Sequence, residues 1–319
     1  MNPKLAQRIE REEKVERPQY NDIADKIEKL YLQQRSAFWT ESELDFSDDV
    51  AIFDKLKDDE KYVLKCVFTY FAKGDRVVND SVGRLAILYD TPPESKMFFN
   101  LQLMIEDIHT RTYENLISAL IPKKEVDAVM NTTGYLNFIG SKIDWLKRYA
   151  KIDTPYVEML FALACAEGIQ FSSMFAIIFW FKKQGKLKNS VIKANEFIAR
   201  DEGLHRDHAC TLMQMQDGTL DENTALAILI SCVAIEIEFI NGTLNDTLEL
   251  KKADLIQYVQ YCADHLLEAM QFRRFYGSTN PFAFMNYIAI ETKSNFFDTR
   301  NTAYKKSQKK YTGEDCVDF

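Results

Sequence analysis

The chain has 319 residues, 46% of them apolar and 13% aromatic, which is ample for a sizeable core in one large domain or two ordinary ones. Its formal charge of -8 and pI near 5.3 argue against a general nucleic-acid or anionic-membrane binder, because no Lys/Arg block is long enough to outweigh that field. Six cysteines occur singly with no Cys-x-x-Cys pair, which disfavours a disulfide framework or a zinc knuckle and predicts reduced thiols in a cytoplasmic protein.

Residues 1–20 read as an N-terminal extension, since Met1 to Lys14 is charged and lacks the apolar segment of a signal peptide. Residues 21–290 read as one helical domain. Strand signals are nearly absent: eleven glycines and seven prolines are few for this length, and the segments between them carry apolar residues at spacings of three and four. The pattern predicts helices over 21–36, 58–88, 95–121, 132–150, 155–183, 187–216, 222–247 and 252–273. Pro92 and Pro93 separate the second from the third, Pro122 ends the third, and Asp153-Thr154-Pro155 opens the fifth. Gly185 closes the fifth and Asp217-Gly218 the sixth. From Met159 to Phe181 the only charge is Glu167. That stretch is long enough to span a bilayer, but a carboxylate near its middle points instead to a helix wrapped by protein, with no membrane involved. Residues 291–319 form a largely polar tail, expected to be mobile until something binds it.

The chemistry lies in a pattern that occurs twice, Glu106-Asp107-Ile108-His109 and Glu202-Gly203-Leu204-His205, each inside a predicted helix. At that spacing Glu and His leave one helix face a turn apart and converge on one point. Two further acids are misplaced for solvent: Asp75 falls on the apolar stripe of Val67, Phe68, Phe71, Ala72 and Val78, and Glu167 is the lone charge of its helix. A buried carboxylate is protonated, paired or metal-bound. Two Glu-x-x-His helices plus one acid from each of two others are the ligand set of a dinuclear metal site in an all-α, ferritin-like bundle. Four clustered carboxylates would repel by about 3 kcal/mol per pair at about 5 Å and an effective dielectric of about 20, and two divalent cations would balance them. Oxygen-rich ligation with one imidazole per metal suits iron or manganese. A buried polar network without metal is the competing reading of the same residues. His208 and His265 fall outside the pattern and are expected at the surface or behind the ligands.

Tyr113 follows His109 by four residues, a spacing that alone would mean core packing. Glu-x-x-His with that Tyr, the upstream Phe71-Ala72-x-x-Asp75, the run Ala164-Cys-Ala-Glu-Gly-Ile-Gln-Phe-Ser172 and Arg200-Asp-Glu-Gly-Leu-His205 together resemble the class I ribonucleotide reductase small subunit of eukaryotic and viral type. The resemblance runs from Phe38-Trp39-Thr40 to Phe319. It implies that Asp75, Glu106 and His109 bind one metal and Glu167, Glu202 and His205 the other, with Glu106 bridging. It implies a dinuclear iron centre, manganese being possible in its place, activated by O2, and Tyr113 as the residue oxidised to a radical in a pocket of Phe171, Phe175 and Ile198. A relay through His109, Asp201, Trp39 and Tyr304, with Arg200 beside Asp201, would carry the oxidising equivalent to a separate large subunit. The acidic tail ending in Phe319 would dock on that subunit, and the chain would be a homodimer. Lys73, Gly74 and Arg206 depart from the usual pattern without removing a ligand. Two other classes remain: a ferritin-like oxidase acting directly on a substrate, and an iron-storage or structural bundle. Tyr113, Trp39, Asp201 and the tail favour the reductase.

Overall fold

The computed structural model of the chain describes residues 22–89, 91–126, 137–215, 220–245 and 248–285, and all regular structure among them is helical. In order come α1 (Asp22–Ser36), a 3-10 turn (Glu41–Glu43), α2 (Ser47–Asp54), α3 (Asp58–Leu88) and α4 (Pro93–Leu120). They are followed by α5 (Asn137–Tyr149), α6 (Tyr156–Cys165), a π-turn (Ala166–Gln170) and α7 (Ser172–Lys183). The last are α8 (Asn189–Gln214), α9 (Glu222–Thr243) and α10 (Lys252–Ala269). Asp217-Gly218, the first residues of the predicted 132–150 helix and the tail lie outside the described residues.

Local chemistry accounts for the boundaries. The Glu60 carboxylate accepts from Lys57 N at 2.9 Å at the start of α3, and Asp221 Oδ1 accepts from Asn223 N and Thr224 N at 3.1 and 3.0 Å at the start of α9. Gly185 adopts φ 68° after α7, and Lys186 N and Gly185 N close back on Phe181 O and Lys182 O, both at 2.9 Å. This left-handed closure is what the glycine supplies. The predicted 252–273 helix ends earlier, at Ala269, because Gln271 takes φ 66° and makes the same closure through Phe272 N to Leu267 O at 2.8 Å. No glycine marks that stop, so the sequence pattern overran it.

Two further features are absent from the sequence reading. Helix α2 is short and weakly amphipathic, yet its buried Asp49 sends Oδ2 to Ser190 N and Val191 N, 3.0 and 3.3 Å away, and so caps α8 from outside. The predicted 155–183 helix is broken by the π-turn around Glu167. In a segment buried on every side an inserted residue leaves no phase slip in the apolar pattern, so a π-turn there is invisible to periodicity.

Helix α3 lies along α4, α8 packs on α6, and α1 crosses both α4 and α8. Two segments are long and apolar enough to cross a membrane, Tyr156–Lys183 and Glu222–Thr243. The first is 94% buried and forms the centre of the bundle, as expected from Glu167, while the second is 44% buried and keeps one face outside. Cys66, Cys165, Cys210 and Cys232 are buried core residues, and Cys262 is partly so.

Candidate metal centre

Four elements aim donors into the middle of the bundle: α3 carries Asp75, α4 Glu106 and His109, the π-turn Glu167, and α8 Glu202 and His205. None of these six is more than 4% exposed. Ligand atoms of Glu106, Glu167, Glu202 and His205 lie within 4.8 Å of one another, as do those of Asp75, Glu106 and His109. Glu106 is common to both groups, the position a bridging carboxylate needs. His205 Nδ1 is 2.8 Å from Glu106 and 2.9 Å from Glu202, while His109 Nδ1 lies 3.3 Å from Glu106 and 3.2 Å from Glu202.

Both Asp75 oxygens, Glu106 Oε2, Glu167 Oε2, Glu202 Oε1 and His109 Nδ1 are buried without a hydrogen-bond partner. Buried polar atoms are rarely left so, and this many in one small volume fit a pair of cations better than a self-satisfied polar network. The electrostatics of the cluster agree. Burial, with Glu106 and Glu202 close by, pushes the Asp75 carboxyl well above the usual range, and burial with Glu202 and Glu106 does the same to Glu167. Burial opposes charge on His205, but Glu106 and Glu202 outweigh it and lift the imidazole to about 9. Burial likewise opposes ionisation of Glu202, yet His109 and His205 hold it below the ordinary range. Without metal the cluster therefore stores protons that cations would displace.

Gln102, fully buried one turn before Glu106, donates to Glu167 Oε1 at 2.9 Å. Its place on the ligand face, four residues before Glu106, was the signal in the sequence. Arg206 lays its aliphatic stem against the π-turn, so a Cβ added at Gly168 would meet its Cδ at 3.0 Å. His208 is buried, stacked on Phe98 at 4.0 Å and bonded to Ser95 at 2.8 Å, whereas the His265 side chain is 66% exposed.

Tyr113 is fully buried, and burial together with the nearby Asp75 raises its phenol well above the usual range. Its ring stacks on Phe71 at 4.5 Å with an interplanar angle of 2°, and Phe68 lies tilted at 6.4 Å. Phe171 and Phe175 pack against Phe71, at 5.5 and 5.2 Å, and so form the layer behind it. Ile198 is buried on α8, and one turn before it Asn195 Oδ1 accepts the Tyr113 hydroxyl at 2.7 Å. Neither Phe71 nor Asn195 is among the residues expected around the phenol, although Asn195 sits one turn before Ile198, which is, and Phe71 one turn before Asp75, an expected ligand.

A second arrangement joins His109 to Trp39 through Asp201. Asp201 Oδ2 lies 3.3 Å from His109 Nε2 and accepts from Trp39 Nε1 at 2.7 Å. Its Oδ1 accepts from Arg200 Nη2 at 2.9 Å and Gln34 Nε2 at 3.1 Å. Burial works against the charge on Asp201, but Arg200 and His109 prevail and keep the carboxyl below its usual range. The Trp39 ring stacks on His109 with centroids 6.0 Å apart. Gln34, from α1, has no sequence signal of its own. Tyr304 lies outside the described residues.

The model of the family described as "Ribonucleotide reductase, small chain" matches residues 17–281. The ribonucleoside-diphosphate reductase small chain of Vaccinia virus (strain Ankara) is 35% identical over 290 residues, 90% of this chain and 89% of the viral one. Among solved structures, the ribonucleotide reductase Rnr4 homodimer of Saccharomyces cerevisiae is similar with a TM-score of 0.73 at 25% identity, covering 92% of this chain and 90% of that one. The dimanganese(II)-NrdF of Streptococcus sanguinis shares the fold, with a TM-score of 0.72 at 19% identity over 86% and 98% of the two chains. Family, relatives and the buried carboxylate–histidine cluster agree: the chain belongs to the ribonucleotide reductase small-chain family.

Proposed function

We propose that this chain is the radical-generating subunit of a ribonucleoside-diphosphate reductase, inactive in nucleotide reduction until it meets a separate large subunit. Asp75, Glu106 and His109 would hold one metal and Glu167, Glu202 and His205 the other, Glu106 serving both. A bound iron or manganese pair with dioxygen supplies the one-electron oxidation of Tyr113. Iron is the first choice from the oxygen-rich donor set, and manganese satisfies the same donors.

The chain's own residues do the rest. The rings of Phe71 and Phe68, backed by Phe171 and Phe175, keep water and reductants from the Tyr113 phenol. The observation that carries the reading is the unbroken run from His109 through Asp201 to the Trp39 indole. Asp201 joins a ligand imidazole to an indole N–H, as coupled electron and proton transfer to a partner would require, whereas an oxidase acting on its own substrate has no use for such a path. Burial of every donor also suits a co-substrate as small as dioxygen.

The remaining parts of the reading rest on the resemblance. Residues 1–20 would be an extension, 21–290 the helical domain, and 291–319 the tail that docks on the large subunit, with Tyr304 completing the relay. The yeast relative is a homodimer, which supports the same assembly here. Single reduced cysteines fit a cytoplasmic site. The test is Trp39→Phe assayed with the large subunit. Tyrosyl radical should form normally while deoxyribonucleotide production falls at least tenfold, and wild-type turnover by this variant would refute the relay.

A further inference from the structure

The π-turn is gripped by buried polar groups that hold no metal. Lys142 of α5 is fully buried, and its Nζ donates to Gln170 O, the carbonyl of the last π-turn residue, at 2.7 Å. The same ammonium pairs with Glu236 of α9 and sits over the rings of Tyr70 and Phe239, 4.1 and 4.4 Å from their centroids. The second Glu236 oxygen accepts from Ser173, in the first turn of α7. Tyr70 OH donates to Gln170 Oε1 at 2.6 Å, so Gln170 is held by both its backbone and its side chain. Gly74 makes room for this contact, since a Cβ there would stand 3.1 Å from the Tyr70 ring. Tyr70 lies on the helix that carries Asp75, five residues before it, and Gln170 lies about one turn after Glu167.

A π-turn widens the helix and upsets its carbonyl ladder, and it persists only where the surroundings support it. A buried ion pair is seldom the most stable filling for such a space, because apolar residues of similar volume do as well or better. Here the pair reaches the two points, Gln170 and Ser173, between which the chain returns from π to α geometry. Glu167 itself has little to fix it: Gln102 holds one oxygen, and the other is unpartnered.

We infer that Lys142, Glu236 and Tyr70 are positioning residues that clamp the π-turn and thereby set how Glu167 presents its carboxylate to the second metal position. The inference rests on reading the cluster as a dinuclear centre. The clamp's hydrogen bonds to the π-turn and the first turn of α7 fall on Gln170 and Ser173, in the segment that carries Glu167, and none reaches Asp75, Glu106 or His109, so its loss acts unequally on the two positions. The position served by Asp75, Glu106 and His109 keeps its donors.

The experiment is Mn(II) titration of the full-length, metal-free chain, followed by electron paramagnetic resonance, for wild type, the Lys142→Met/Glu236→Leu double variant and Tyr70→Phe. Wild type should take up two ions with the signature of a coupled pair. In the double variant the second ion should bind about tenfold more weakly or worse, leaving isolated Mn(II) at one ion per chain. Tyr70→Phe, which removes one hydroxyl without changing shape, should weaken the second ion by roughly threefold and carries the test if the double variant does not fold. A merely structural role would lower the unfolding temperature of the metal-free chain and leave both affinities unchanged, and that result overturns the clamp. A wild-type chain that binds no coupled pair overturns the dinuclear reading beneath it, and the clamp with it.

Discussion

The Tyr113 hydroxyl on α4 donates to Asn195 Oδ1 on α8 at 2.7 Å, and Asn195 Nδ2 is in turn spent on Val191 O at 2.8 Å. The second bond settles which way the amide faces, so the phenol meets an acceptor fixed by the neighbouring helix. Together with the Phe71 stack this determines both the tilt of the ring and the partner of its oxygen. For a residue proposed to carry an unpaired electron, that partner matters, since a hydrogen bond to the oxygen alters the spin distribution and the potential.

Asn195→Leu should leave the Tyr113 hydroxyl buried without a partner and lower the unfolding free energy by about 1–3 kcal/mol. Adding Tyr113→Phe should recover much of that loss, because both halves of the bond are then gone. Urea unfolding of the two single variants and the double variant measures the coupling. Strict additivity would show that the bond contributes nothing.

Metal should stabilise the fold strongly. At free metal one hundred times the dissociation constant, each site adds about 2.7 kcal/mol through binding to the folded state alone. Calorimetry with Fe(II) under anaerobic conditions, or with Mn(II), should show a raised midpoint that chelation reverses. Asp75→Asn should blunt the rise by weakening one position. A midpoint indifferent to either metal would contradict the carboxylate cluster as a metal centre.

The pH dependence of stability should carry a mark from Asp49, far from the ligands. Burial raises this carboxyl to about 6 from an ordinary value of 3.8, despite the bonds it accepts from Val191 N and Ser190 N. A raised folded-state value means the protonated form is favoured on folding, so its contribution is complete below about pH 4 and is lost as pH climbs through about 6. Asp49→Asn retains an oxygen acceptor for the α8 cap and carries no charge. Denaturant midpoints between pH 4 and 7 should fall less in this variant than in wild type, and parallel curves would remove Asp49 from the account.

Much of the site could be read from the chain because buried charge is conspicuous. Asp75 stands on an apolar stripe and Glu167 is alone over a long apolar run, so each announces an unusual environment before any coordinates are known. The Glu-x-x-His pairs add geometry, since helical spacing alone aims both side chains at one point. What stayed hidden depends on contacts between elements distant in sequence. Gln34 reaches Asp201 across 167 residues, and Asn195 meets Tyr113 across 82. Asp49 caps α8 from a helix too short to announce itself. The π-turn left no mark because its segment is apolar on every face. Lys142 is the instructive middle case: it falls on the stripe of Ile139, Trp145 and Leu146 at helical spacing, yet in a lysine-containing helix it passes for one more solvated charge.

The central claim, that Tyr113 receives the oxidising equivalent from the cluster, is tested most directly by electron paramagnetic resonance after loading metal-free protein with Fe(II) and exposing it to dioxygen. Wild type should give a tyrosyl signal, and Tyr113→Phe should bind the same amount of iron and give none. A tyrosyl signal of undiminished intensity in Tyr113→Phe, or full nucleotide reduction by that variant with the large subunit, would contradict the assignment.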